Sequence, residues 1–219
     1  MKKFLIIVEG EGDKKFFQDY FHHLFQQKAP ENSMMLSGID DKAGGYHKLE
    51  TQTTLQAMRQ NSDNGGVNLV IFDADEDIEA RRKKIEDIRQ QNNVEFELFL
   101  MPNNNDVGAL EDMLEKIIHP DNQPVMDCWQ TYEDELKKVK IPTKNPPELT
   151  IPAKKTKIYA YLETLLGKSK SQKKLIKDAN RNYRNSAHWD LDHEYLNPLK
   201  TFLIRYLAEE NATTSTLKE

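Results

Sequence analysis

The chain has 219 residues, of which 31% are charged and 37% are hydrophobic, and its formal net charge is −5. This length allows one large domain or one domain with a sizeable appendage, and the composition is typical of a soluble globular protein. The single cysteine, Cys128, excludes an internal disulfide and a cysteine-based zinc site. The N-terminal apolar run is too short for a membrane span and no small-residue cleavage site follows it, so we expect a cytoplasmic protein without a membrane partner.

The net charge conceals an asymmetry along the chain. Residues 137–184 contain 14 Lys and Arg against three acids, a balance of +11, so the rest of the chain carries −16. An acidic body with a basic segment predicts a site that concentrates cations beside a surface that attracts polyanions. The alternative is that the lysines belong to ordinary solvated helix surfaces.

The first half of the chain alternates buried strands with amphipathic helices. Apolar runs predict strands at residues 2–8, 33–39, 67–72 and 95–101. Helical spacing of apolar residues predicts helices at residues 13–26, 46–60, 78–91 and 109–118. This alternation predicts βαβ units and an α/β fold with a mostly parallel central sheet flanked by helices.

The strand signal fades in the second half of the chain. Helices are predicted at residues 125–139, 154–167, 171–183 and 196–209, with a proline-rich connector at 142–152. We therefore predict an α/β domain at residues 1–120, a lysine-rich helical extension packed on it at 121–210, and a frayed tail at 211–219.

Acidic residues follow three of the four predicted strands. They are Glu9, Glu11 and Asp13, then Asp73, Asp75, Glu76 and Asp77, and finally Asp106 and Glu111. Carboxyl ends of parallel strands meet at one edge of a sheet, where these carboxylates would repel one another unless a divalent cation lies among them. Oxygen ligands suit Mg²⁺ or Mn²⁺, and two such ions could clamp the attacking and leaving oxygens of a phosphodiester.

Two of these acidic stretches resemble a known domain. "VEGEGDKKFF" with "VIFDADED" resembles the TOPRIM domain, in which a strand ends in Glu beside Gly and a later strand ends in Asp-x-Asp. The resemblance implies a Rossmann-like α/β domain that binds Mg²⁺ and cuts, joins or polymerises nucleic acid. It implies Glu9 as the proton-handling carboxylate and metal neighbour, and Asp73 and Asp75 as metal ligands. Asp13 matches the second acid of the nuclease-type members.

A longer resemblance covers nearly the whole chain. "LFLMPNNNDVGALEDMLEKII", "PAKKTKIYAYLETLLG" and "LNPLKTFLIRYL" resemble signatures of an uncharacterised bacterial family of TOPRIM-like proteins, related to the overcoming-lysogenization-defect nucleases. Glu111 falls at that family's Leu-Glu-Asp acids and Lys155 at its downstream lysine. Asn103 stands where the family's turn has Asp, which removes one ligand.

These residues together predict a Mg²⁺-dependent nuclease, with DNA favoured over RNA. The expected metal ligands are Glu9, Asp13, Asp73, Asp75 and Glu111, and Lys155 would neutralise charge that develops on a phosphate. TOPRIM nucleases often act with an ABC-type ATPase, and because the chain has no phosphate-binding loop, such an ATPase would be a separate chain. A homo-oligomer is a further expected partner.

Other interpretations of the same residues stay open. The Asp-x-Asp motif also occurs in phosphohydrolases of the haloacid dehalogenase type, although Asp77 stands where that chemistry normally has Thr or Val. A third interpretation is a nucleic-acid-binding module that does not cut, or cuts only with a partner. Glu9 could be a helix-capping acid, Glu111 a first-turn helix acid and Lys155 a surface lysine.

Overall fold

The chain forms an α/β fold, as its strand and helix alternation predicts. The computed structural model describes residues 4–25, 33–37, 45–167 and 169–207. The strands within this part are β1 (Phe4–Val8), β2 (Ser33–Ser37), β3 (Val67–Asp73) and β4 (Glu97–Met101). The α-helices are α1 (Glu11–Phe25), α2 (Gln52–Asp63), α3 (Ile78–Asn92), α4 (Leu110–Lys116), α5 (Gln123–Lys138), α6 (Lys154–Leu166), α7 (Lys170–Ile176) and α8 (Asn197–Leu207). The predicted tail at 211–219 lies outside the described residues.

The four described strands form one sheet in the order β2-β1-β3-β4, and every neighbouring pair is parallel. β2 lies on one side of β1, and the next strand, β3, lies on the other side of β1. A point where the strand order reverses in this way leaves a crevice beyond the carboxyl ends of the two central strands. In this sheet the crevice lies between the ends of β1 and β3.

Alternate side chains of the central strands face two separate hydrophobic layers. One layer joins Ile6 and Ile71 to α1, α4, α6 and α8. The other joins Ile7 and Phe72 to α2 and α3. Both faces of the sheet are therefore covered by helices, as the unbroken apolar runs of parallel strands require.

Residues beyond Pro120 belong to the same core as the sheet. Tyr161 of α6 and Trp189 are buried in the first layer, and their rings meet at 5.5 Å between centroids. The ring of Phe202 in α8 lies 5.2 Å from that of Phe99 in β4. The C-terminal helices thus cover one face of the sheet together with α1 and α4.

Two predicted helices differ from those observed, in each case because a side chain bonds to the backbone. The predicted helix at 46–60 is wrong in its first part, where Gly45–Glu50 form a 3₁₀ helix. Thr51 starts α2 because its hydroxyl accepts a hydrogen bond from the N–H of Thr54. The predicted helix at 171–183 is too long, because the buried Arg181 side chain donates to the carbonyl of Ile176, where α7 ends.

The helices of the described ranges are all too short or too polar to cross a bilayer.

We expect Leu203→Ala in α8 to lower the free energy of unfolding by about 3 kcal/mol, because it leaves a cavity against the sheet. Leu203 is completely buried, whereas the next residue, Ile204, is 39% exposed. Ile204→Ala is therefore the matched control and should change stability by less than about 1 kcal/mol. Urea denaturation monitored by circular dichroism measures both, and equal losses would contradict the packing of α8 on the core.

Candidate functional site

Carboxylates gather in the crevice where the strand order reverses. Val8 of β1 pairs in register with Ile71 of β3, so the residues that follow these positions leave the sheet side by side. Glu9 comes directly after β1, and Asp73 is the last residue of β3. The sheet topology therefore brings together two acids that are 64 residues apart in the chain.

Helices that begin at this edge add further charged groups to a cleft of about 480 Å³. Asp13 lies in the first turn of α1, Glu111 in the first turn of α4 and Lys155 in the first turn of α6. The charged residues that line the cleft are Glu9, Glu11, Asp13, Asp73, Glu111, Lys155, Asp178 and Arg181. Six carboxylates thus face one another beside two cations.

Glu9 is a largely buried carboxyl group of the cleft. Its side chain is 16% exposed, and within the described part of the chain its Oε1 atom is buried without a hydrogen-bond partner. Burial raises the pKa of Glu9 to about 7, and the charge of Asp13 adds to this rise. Arg81 and Lys48 oppose it, with Arg81 Nη2 3.7 Å from Glu9 Oε1. Near neutral pH this group can therefore hold or release a proton.

Asp13 and Asp73 are partly satisfied by backbone groups. The N–H of Gly10 donates to Asp13 Oδ2 at 2.7 Å, and the N–H of Leu110 donates to Asp73 Oδ1 at 3.0 Å. Burial nevertheless raises the pKa of Asp13 to about 6, and the neighbouring charge of Glu111 contributes. The pKa of Asp73 is raised well above its usual range by burial and by the charges of Asp13 and Glu9. The cleft thus concentrates negative charge that the described residues do not balance.

Lys155 reaches the cleft through an ion pair. Its ammonium contacts Asp178 Oδ2, and this hydrogen bond raises the pKa of Lys155. Asp178 lies in the 3₁₀ helix Asp178–Asn180, which packs against the start of α1 at Gly12. A Cβ atom at Gly12 would lie 3.3 Å from the Cβ atom of Asp178, so glycine permits this close approach. The C-terminal half of the chain therefore supplies one wall of the cleft.

Asp75 does not lie in this cleft, although the sequence predicts it as a metal ligand. It lines a neighbouring cavity of about 420 Å³ and forms a close ion pair with Arg81. Its backbone has a φ of 55° and pairs with Gly108 through hydrogen bonds in both directions, at 2.9 and 2.7 Å. The turn of the chain after β3 therefore directs the two aspartates of the motif into different cavities.

Two other acids after the strands also have structural roles. Asp77 caps α3, accepting a hydrogen bond from the N–H of Ala80 at 3.0 Å. Asp106 is exposed and accepts a 2.7 Å hydrogen bond from the amide of Asn103. Asn103 in turn accepts from the N–H groups of Asn105 and Asp106, so it orders the turn after β4. None of these three side chains lines the cleft.

Four charged residues of this region belong to no motif in the sequence. They are Lys48, Arg81, Asp178 and Arg181, and two of them, Arg81 and Arg181, are almost completely buried. Lys48 donates to the backbone carbonyl of Glu9, and Arg181 Nη2 lies 2.7 Å from Asp178 Oδ1. No local pattern marks these residues, because each becomes important only through partners that are distant in the sequence. Arg81 is the exception, because a charged residue at a core-facing position of a helix is a pattern that can be recognised in the sequence.

Many of the Lys and Arg side chains in residues 137–184 are paired with acids. Lys154 contacts Asp112, and Lys157 Nζ lies 3.0 Å from Glu115 Oε2, so these lysines fasten α6 to α4. Arg184 Nε lies 3.6 Å from Asp19 Oδ1. The lysines of α7 remain on the surface next to the 3₁₀ helix that borders the cleft. The surface available to a polyanion is therefore smaller than the charge count suggests.

The fit of this cleft to a metal ion depends on its donor atoms. The carboxylate oxygens that line it are the ligand type that Mg²⁺ and Mn²⁺ prefer, and the buried Oε1 of Glu9 lacks a partner. Among the described residues, no three His, Cys, Asp or Glu side chains already stand at the spacing of a metal site. The donor chemistry fits such an ion, although the carboxylates are spread around the cleft.

We expect Glu9→Gln to stabilise the metal-free chain at pH 8 but not at pH 4. The folded state holds the Glu9 proton up to about pH 7, whereas the unfolded chain releases it near 4.5, so stability is lost as pH rises between these values. The gain at pH 8 should be about 3 kcal/mol. Urea denaturation with a chelator measures it, and Glu97→Gln, at an exposed position of β4, is the matched control. A pH-independent effect of Glu9→Gln would contradict the raised pKa.

One family of proteins matches the chain. No curated protein and no solved structure matches it. The family is described as a protein of unknown function, DUF3226, and the match spans residues 3–208. These residues include both strands that end at the cleft, the helices that border it and the C-terminal wall. The chain therefore belongs to the DUF3226 family of proteins of unknown function.

Proposed function

We propose that the chain is a metal-dependent phosphodiesterase that hydrolyses nucleic acid, with Mg²⁺ or Mn²⁺ in the acidic cleft. The observation that carries the proposal is the set of buried carboxylates at the crevice between β1 and β3, with the unpartnered Oε1 of Glu9 among them. Like charges packed at this density are costly, and a divalent cation is the partner that compensates them. The resemblance of the two acidic stretches to TOPRIM domains agrees with this interpretation.

Several carboxylates of the cleft would coordinate the ion together. Asp73, Asp13 and Glu111 line the same cleft as Glu9 and would hold the metal with it. The metal would polarise the phosphate and help ionise a water molecule. Asp75 is left out of this ligand set because its carboxylate pairs with Arg81 in the neighbouring cavity.

Glu9 and Lys155 would have different chemical roles. In the metal-free chain burial raises the pKa of Glu9 to about 7, and in the proposed reaction this carboxylate would take the proton of the attacking water. Lys155 lies across the cleft in an ion pair with Asp178 and would neutralise charge that develops on the phosphate. The exposed lysines of α7 would contact the nucleic-acid backbone near the cleft.

The proposal also includes a substrate, a location in the cell and a partner. We propose DNA as the more favoured substrate over RNA, a cytoplasmic location and, as a partner, an ATPase on a separate chain. A homo-oligomer is part of the same proposal.

The first test is a calorimetric titration of Mg²⁺ and Mn²⁺ into wild type and Asp73→Asn. We expect metal binding in wild type and at least about tenfold weaker binding in the variant, because a ligand is lost. Asp63→Asn, at an exposed position of α2, is the matched control and should bind as wild type does. Absence of metal binding in wild type would refute the proposal.

The second test is cleavage of supercoiled plasmid DNA and of single-stranded RNA by wild type and Lys155→Gln. We expect metal-dependent cleavage by wild type and a loss of about 100-fold or more in Lys155→Gln, with metal binding retained. Lys138→Gln, an exposed lysine paired with Glu135 at the end of α5, should cleave as wild type does. Metal binding without cleavage of either substrate would instead indicate a binding module or an enzyme that needs its partner.

A further inference from the structure

Arg81 lies between two carboxylates that belong to different cavities. Its side chain is only 8% exposed, and its Nη2 atom contacts Asp75 Oδ2 in a close ion pair. The same atom is 3.7 Å from Glu9 Oε1, beyond hydrogen-bond distance. One buried guanidinium group is therefore near both acids but bonds to only one of them.

The choice of partner is unusual, because the acid that is left over is the more buried of the two. Asp75 is 56% exposed and could be hydrated, whereas Glu9 is 16% exposed and its Oε1 has no hydrogen-bond partner among the described residues. A guanidinium group beside a buried, unpaired carboxylate would normally form a charge-assisted hydrogen bond with it. Other contacts must therefore hold the Arg81 guanidinium group in its ion pair with Asp75.

Asp75 and Arg81 each have a further contact that supports their ion pair. The backbone of Asp75 is fixed in the left-handed region by its two hydrogen bonds with Gly108, a conformation that Asp and Asn tolerate better than most residues. The guanidinium group of Arg81 lies 5.2 Å from the ring centroid of Tyr46, which supports it from the side of the neighbouring cavity. The contact between Asp75 and Arg81 is thus fixed by elements that do not involve Glu9.

We propose that Asp75 is a positioning residue that holds Arg81 back from Glu9 and so keeps the Oε1 atom of Glu9 available. Its consequence at the metal rests on the proposed function, because a Glu9 paired with Arg81 would be a poorer ligand. Loss of the Asp75 charge frees Arg81 to move onto Glu9. The second acid of the Asp-x-Asp motif then matters for metal binding without touching the metal.

The first experiment needs no metal. A double-mutant cycle of Glu9→Gln and Arg81→Gln gives the coupling energy between the two residues, measured by urea denaturation in the presence of a chelator. The cycle is run once with Asp75 present and once in the Asp75→Asn background. We expect the coupling between Glu9 and Arg81 to grow by about tenfold in the unfolding equilibrium constant when Asp75 is neutralised, because the two then pair directly. Equal coupling in the two backgrounds would overturn the proposal.

The backbone of residue 75 should survive this change, because Asn accepts its φ of 55° and the hydrogen bonds to Gly108 are made by main-chain atoms. Should Arg81→Gln fail to fold, Arg81→Met keeps the length of the side chain next to Tyr46 and completes the same cycle.

The second experiment titrates Mg²⁺ by calorimetry into wild type, Asp75→Asn and Asp75→Asn with Arg81→Gln. We expect Asp75→Asn to weaken binding about tenfold, and removal of Arg81 in addition to restore it to within about threefold of wild type. Glu76→Gln, which neutralises the next carboxylate of the same cavity, should leave the affinity within about twofold of wild type.

The outcomes separate the two proposals. A double variant as weak as Asp75→Asn would mean that Asp75 is itself a ligand, which overturns the positioning role. Absence of Mg²⁺ binding in wild type would refute the proposed function, and the metal-free coupling would then decide the positioning role alone.

Discussion

The parallel pairing of β1 with β3 is the constraint on which the cleft depends. Their register leaves Glu9 and Asp73 at the same edge of the sheet, where the strand order reverses. The N–H groups of Gly10 and Leu110, at the starts of α1 and α4, then bond to Asp13 and Asp73. The charge density of the cleft is therefore a consequence of the strand order, and the backbone compensates only part of it.

Two cations in or beside the cleft are paired with acids other than Glu9. Lys155 is held by Asp178, which also lines the cleft, and Arg81 is held by Asp75 in the neighbouring cavity. Arg81 Nη2 therefore stays 3.7 Å from Glu9 Oε1. This arrangement costs stability, since buried carboxyl groups must be protonated or ionised without a close partner. Functional sites commonly store this kind of unfavourable electrostatic energy, which a bound cation can release.

The helices beyond Pro120 complete both the core and the cleft. Trp189, Tyr161 and the apolar face of α8 cover the sheet face that α1 and α4 leave open. The same segment brings Asp178 and Arg181 to the cleft, where the 3₁₀ helix that contains Asp178 packs on Gly12. Removing this segment would uncover apolar strands and also open one wall of the cleft.

The sequence alone determined the strand and helix order, the parallel sheet and the principal acids, because hydrophobic periodicity and strand-ending carboxylates are local patterns. Of the five residues expected as metal ligands, Glu9, Asp13, Asp73 and Glu111 line the cleft, and Lys155 lines it with them. Only the tertiary structure decided that Asp75 faces another cavity, because one left-handed residue and its pairing with Gly108 reverse the direction of the chain there. It also decided which cations are paired. Those contacts join residues far apart in the chain, such as Arg184 and Asp19, and no local pattern encodes them.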